Sequence, residues 1–157
     1  MVEFSQVTKR FQSTIAVREI SFRVSSGSIH GILGPNGAGK TTTLRMLIDI
    51  IRPDEGEINL FGTKMNPRSK ERIGYLPEER GLYRKMRVFD ILVFLARLKG
   101  MTLSTSKNRI NFWLEKFGML DLTERRVEEL SKGMEQKVQF IAVVAHEPAL
   151  IVLDEPF

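Results

Sequence analysis

Residues 34–41 read GPNGAGKT and satisfy the pattern G-x-x-x-x-G-K-[ST]. Glycines at 34, 37 and 39 let the backbone wrap tightly, aiming successive N–H groups at a phosphate with no side chain in the way. A helix that starts directly after such a loop turns the positive end of its dipole toward the same anion. Lys40 is then placed to neutralise β- and γ-phosphate oxygens, and the Thr41 hydroxyl suits Mg²⁺. An ordinary glycine turn would contain the same residue types. The context argues against it, because the apolar stretch SIHGIL (residues 28–33) precedes the loop and an amphipathic stretch follows it.

Working outward, the chain alternates between strand and helix patterns. EFSQVTKRF (3–11) and AVREISFRV (16–24) read as two strands, with SSG as a turn after the second. SIHGIL reads as a third, short strand. From Gly39, Leu44, Leu47, Ile48 and Ile51 share one helical face until Pro53 stops the run. GEINLFG (56–62) returns to strand. Residues 89–99 read as an apolar helix, and Ile110, Trp113, Leu114 and Phe117 repeat at helical spacing. The methionines and aromatics of this region read as core. A last helix, 133–145, ends before Pro148 and feeds the apolar run ALIVL (149–153), which suits a strand covered on both faces. The predicted class is α/β with an inserted helical lobe at about 80–135.

The chain then reads LDEPF (153–157), with Asp154 and Glu155 adjacent at the exit of that buried strand. Acids in this position reach the crevice where open α/β sheets bind ligands. With a phosphate loop in the same chain, Asp154 is expected to hold the hydration shell of Mg²⁺ and Glu155 to polarise the attacking water.

Composition narrows the alternatives. The 157 residues, 42% hydrophobic and 27% charged, suit one soluble globular domain. There is no cysteine and there are only two histidines, His30 and His146, so disulfide frameworks, thiolate sites and His-rich metal sites are excluded. MVEFSQVTKR has no signal-peptide core, and the longest apolar stretch is broken by His146, Glu147 and Pro148, so a cytosolic location is expected. Residues 64–109 contain twelve Lys or Arg against four Asp or Glu, a net +8 in a chain of +5. That excess reads as a solvated helical face, a membrane-proximal surface, a partner-docking surface or, least favoured for want of a recognition motif, a nucleic-acid patch.

The motifs together resemble the ATP-binding subunits of ABC transporters. GPNGAGKTT looks like their phosphate loop and ALIVLDEP like their second nucleotide motif. ELSKGMEQK (129–137) resembles the signature after their helical lobe, and IGYLPEE resembles the segment around their Q-loop. The likeness runs from residue 2 to residue 157 and is closest to the sodium-extrusion and drug- or lipid-exporter branch. It implies a P-loop NTPase fold with a mixed sheet, an antiparallel N-terminal part and the helical lobe. It also implies ATP and Mg²⁺ as cofactors. Nucleotide contacts fall on Phe11, Gly34, Pro35, Asn36, Gly37, Ala38, Gly39, Lys40, Thr41 and Thr42, with Phe11 stacking on adenine. Lys40 and Glu155 are the implied catalytic residues, and Thr41, Glu78 and Asp154 the metal-site residues. Ser131, Lys132 and Gly133 meet the nucleotide of a second copy. The implied partners are a transmembrane permease subunit and a second ATP-binding subunit, with no nucleic acid; the implied place is the inner face of the cell membrane.

Two motifs depart from the family pattern, at three positions. Glu78 stands where a Gln is usual, and Lys132 and Met134 replace the usual Gly and Gln of the signature. The family also continues beyond this point with a dimer-crossing loop, a further strand and a switch histidine. The expectation is therefore a chain lacking the last part of the core, with weak or no hydrolysis of its own. The alternatives to a transporter motor are a non-catalytic nucleotide-binding fragment and, less favoured, a soluble ABC-type ATPase.

Overall fold

Two antiparallel strands, β1 (Val2–Phe11) and β2 (Thr14–Val24), open the chain as a hairpin in which Val2 faces Val24 and Phe11 faces Thr14. The computed structural model describes residues 2–78 and 81–155. Met1, Glu79 and Arg80 at the start of the expected lobe, and Pro156 and Phe157 of the terminal motif, lie outside the described residues. The chain divides into two units, residues 1–70 and 71–157.

In the first unit, alternation buries Val2 and Phe4 on one face of β1. The alternation breaks where Gln6 (φ 52°) and Glu19 (φ 46°) take left-handed conformations and the ladder register shifts, so that Val7 and Thr8 are both buried. Hydroxyls satisfy the displaced amides: Gln6 N–H donates to Ser21 Oγ at 2.9 Å and Glu19 N–H to Thr8 Oγ1 at 3.0 Å. The other edge of β1 pairs with β3 (Glu55–Leu60), and β3 pairs with β4 (Thr63–Lys64), giving the order β2-β1-β3-β4. Helix α1 (Lys40–Leu47) contributes Met46 and Leu47 to the core.

Two sequence expectations fail here. The helix after the phosphate loop stops at Leu47, short of Ile51. Asp49 takes φ 57°, its N–H donates to Met46 O at 3.1 Å, and Ile50 N–H donates to Arg45 O at 2.9 Å. This is a Schellman ending with aspartate in the left-handed position, stabilised further by an Asp49–Lys70 ion pair at 2.6 Å. Residues 28–33, expected as a strand, form none. Both edges of β1 are already taken, no described strand pairs with this segment, and Ile29 and Leu33 are almost wholly exposed at 103% and 94%. An apolar run becomes a strand only when a neighbour accepts its backbone hydrogen bonds. His30 instead stacks on Phe22, with centroids 5.2 Å apart.

Helix α2 (Pro67–Glu71) ends the first unit, with only Glu71 in the second, which contains β5 (Ile73–Leu76), α3 (Val88–Leu98), α4 (Leu103–Lys116), α5 (Lys132–Val144) and β6 (Leu150–Leu153). Strands β5 and β6 are parallel, with Ile73 opposite Leu150 and Leu76 opposite Leu153. Residues expected for the lobe supply α3, α4 and two short 3₁₀ turns, which share a core with α5: Val88, Leu92, Ile110, Leu114, Val138 and Ile141 are all fully buried. Thr102 caps α4 by accepting from Thr105 N–H at 3.2 Å. Gly74 lets α5 lie close to β5, because a Cβ there would sit 2.7 Å from Val143 O. Strand β6 is not covered on both faces: Val152 is buried, but Ile151 and Leu153 are exposed. Its described ladder runs along one edge only, to β5.

Candidate functional site

The phosphate loop lies between the unpaired segment 28–33 and α1. Gly37 and Gly39 both take positive φ, 80° and 86°, as backbone wrapped around an anion requires. Gly39 is fixed twice over, since a Cβ there would meet Ala16 O of β2 at 2.3 Å. It is also the N-cap of α1, which has no side-chain cap and no acid in its first turn. The helix therefore opens with donor groups that no carboxylate of its own first turn competes for, the electrostatics an anionic phosphate requires. Lys40 is turned back along the loop, donating to Gly34 O at 2.9 Å and Pro35 O at 3.1 Å. Its ammonium is thus placed where the loop backbone gathers. Pro35, Asn36, Ala38 and Thr41 complete the loop, and Thr42 follows on α1. Phe11 ends β1 at the hairpin tip and is 47% exposed, a ring available to a partner rather than a core aromatic.

In the second unit, the parallel pairing of β5 and β6 sends both chains out on one edge of the sheet. Glu78 follows β5, and Asp154 and Glu155 follow β6, so the register brings these three carboxyl-bearing positions to the same edge. Asp154 is buried at 3%, its N–H donates to Leu76 O at 3.0 Å, and the Tyr75 hydroxyl donates to its Oδ2 at a long 3.5 Å. Glu78 and Glu155 are exposed, and Glu155 has φ 46°. Burial with backbone anchoring suits Asp154 to a fixed ligand role, whereas Glu155 faces solvent. Tyr75 is a neighbour that spacing could not reveal, because its proximity depends on the strand pairing.

The signature residues begin a helix, as expected. Ser131 is the N-cap of α5 and accepts from Met134 N–H at 3.3 Å; Lys132 and Gly133 form the first turn and are exposed. Residues 131–134 at this helix start are all exposed, which suits contact with an external anion.

Among the described residues, no three of His, Cys, Asp and Glu converge as a self-sufficient metal cluster. In the first unit Thr41 carries a hydroxyl, and in the second Glu78, Asp154 and Glu155 carry carboxylates, oxygen donors of the kind Mg²⁺ takes. No described helix is long and apolar enough to cross a membrane.

The basic window is less free than its sequence count implies. Lys64 pairs with Glu57, Lys70 with Asp49, Arg87 with Glu124 and Arg109 with Glu147, all acids outside residues 64–109.

Comparison with known proteins identifies the family. The family model described as ABC transporter matches residues 17–157. YhaQ of Bacillus subtilis, an uncharacterized ABC transporter ATP-binding protein, is 48% identical over 157 residues, covering 100% of this chain and 53% of that relative. The Nod factor export ATP-binding protein I of Burkholderia pseudomallei is 36% identical over 158 residues, covering 99% of this chain and 52% of its own length. A solved ATP-binding subunit of an ABC transporter superposes with a TM-score of 0.89 at 26% identity, covering 99% of this chain and 66% of that one. The chain thus spans about half the length of these curated relatives. It belongs to the ABC transporter ATP-binding family, with the P-loop α/β fold of that family.

Proposed function

We propose that this chain is the ATP-binding and ATP-hydrolysing part of an ABC exporter, working with a transmembrane permease on the inner face of the membrane. The observation that carries the reading is the phosphate loop, with left-handed Gly39 locked against β2 at the uncapped start of α1. In this reading the loop amides and Lys40 hold the β- and γ-phosphates, and Phe11 receives the adenine. Thr41 supplies a hydroxyl ligand for Mg²⁺, while Asp154 and Glu78 hold the water shell of the ion. When bound, the ion neutralises charge developing on the transferred phosphoryl group. Glu155 orients water for attack, and its exposure at the sheet edge gives it access to solvent. Ser131, with Lys132 and Gly133, meets the γ-phosphate held by a second copy. Export is favoured by the relative whose name specifies it.

A second reading, nucleotide binding without turnover by these 157 residues, is favoured by the exposure of Ile29 and Leu33 beside the phosphate loop and of Ile151 and Leu153 beside the terminal acids. Steady-state phosphate release separates the two. We expect slow release from the 157-residue chain and orders of magnitude faster release from a chain extended to its relatives' length. In the longer chain, Glu155→Gln is expected to keep MgATP binding and lose turnover. Turnover unaffected by Glu155→Gln would contradict the assigned role of Glu155, and equal turnover at both lengths would show the short chain to be a complete catalyst.

A further inference from the structure

Phe11 sits at the last position of β1, opposite Thr14 of β2 and beyond the end of the β3 ladder. Pairing with β3 ends at Thr8 opposite Glu55, and the register with β2 slips between Val7 and Lys9 and again between Lys9 and Arg10. A single residue 43 positions away, Asp54, takes over at this point. Its backbone N–H donates to Thr8 O at 2.9 Å. One carboxylate oxygen accepts the Arg10 N–H at 2.6 Å, and the other accepts from Lys9 Nζ at 2.9 Å. Three consecutive residues leading into Phe11 are thus tied to one side chain and its own amide. The Lys9 ammonium held in this way also lies 5.5 Å from the centroid of the Phe11 ring. The next residue repeats the tie, with Arg10 paired to Glu55 at 2.6 Å.

We infer that Asp54 is a positioning residue for nucleotide recognition: it fixes the end of β1 and the Lys9 ammonium so that Phe11 is presented to the base of ATP. Asp54 touches no nucleotide in this account; it acts only through Phe11. The inference rests on the reading of Phe11 as the adenine platform. Loss of Asp54 frees the Arg10 amide, releases Lys9 and lets the hairpin tip swing. The cost falls on base stacking and leaves the phosphate loop untouched.

The test is calorimetric titration of the chain with MgATP and, separately, with magnesium tripolyphosphate, which has the phosphates but no base. Asp54→Ala is expected to raise the Kd for MgATP by about three- to tenfold, the size of a lost aromatic stacking contact, and to leave the tripolyphosphate Kd unchanged. A general structural defect would weaken both ligands alike, and that result would overturn the inference. Phe11→Ala is expected to match Asp54→Ala, with no further loss in the double variant. If Phe11→Ala weakens MgATP and Asp54→Ala does not, Asp54 has no positioning role. If Phe11→Ala leaves MgATP binding unchanged, the adenine reading of Phe11 fails and the inference fails with it. Should Asp54→Ala not fold, Asp54→Asn keeps the shape and one acceptor while losing the charge; it is expected to weaken MgATP alone, by less than alanine, and unchanged MgATP binding in this variant would overturn the inference.

Discussion

Gly39 is the residue at which loop, helix and sheet constraints coincide. Its φ of 86° excludes most side chains, and its missing Cβ leaves room for Ala16 O at what would be 2.3 Å. Gly37 has a similar φ of 80° but open space around it. The pair therefore separates backbone strain from steric clash. Gly37→Ala is expected to lose about 1 kcal/mol through strain alone, and Gly39→Ala to lose more than Gly37→Ala, toward the upper end of about 1–3 kcal/mol or beyond. Thermal denaturation of both variants checks this, and equal losses would show that the contact with Ala16 is unimportant. The motif reading identified these glycines by spacing. What spacing could not convey was that Gly39 is pinned by β2, because the approach of Ala16 is a tertiary contact. The same applies to Asp54 and Tyr75, whose roles arise from neighbours 42 or more positions away.

At the scale of elements, hairpin β1–β2, α3, α4 and α5 were legible because their apolar periodicity coincides with burial, whereas β6 was legible as a strand but not in its exposure, since Ile151 and Leu153 are uncovered. The end of α1 was not, since aspartate at position 49 adopts the left-handed conformation that glycine usually marks. Residues 28–33 have the composition of a strand but no described partner, and strand formation is a property of pairs. The link between the β5 strand and two helices was also hidden. Lys99 Nζ from the end of α3 and His146 Nε2 just beyond α5 lie 3.1 and 3.3 Å from the same Ile73 carbonyl. Burial, and then the Lys99 ammonium, push the His146 pKa below its usual value, while the Ile73 carbonyl pulls it up to a lesser extent. The native state therefore takes up a proton on His146 only at lower pH than the unfolded chain, which does so near the ordinary value of about 6.5. Stability is full above that pH and declines as pH falls below it. The melting temperature is expected to drop between about pH 6.5 and pH 5, and His146→Gln is expected to flatten that slope. An unchanged slope in the variant would remove His146 as its source.

For the whole molecule, charge is the property most easily misread from sequence alone. The window 64–109 is strongly basic, yet four of its cations pair with acids that the fold brings in from elsewhere. These pairs remove part of the excess, and nucleic-acid binding depends on unpaired Lys and Arg releasing counterions. Filter binding to duplex DNA and to RNA is expected to show only weak association at physiological salt. Tight binding that collapses with added salt would contradict the expectation that nucleic acid is not a partner. The family was legible because the phosphate loop, the signature and the terminal acids are compact local patterns. The arrangement of the acids was not, because Glu78, Asp154 and Glu155 share an edge only through the register of two parallel strands.

The central claim is that residues 34–41 bind the phosphates of MgATP through Lys40. Isothermal titration of the unaltered chain and of Lys40→Ala with MgATP tests it most directly. A saturable site that weakens by at least about tenfold in Lys40→Ala is the predicted result, the size of a lost charge-assisted contact. Equal dissociation constants for the two chains, or no binding by the unaltered one, would contradict it.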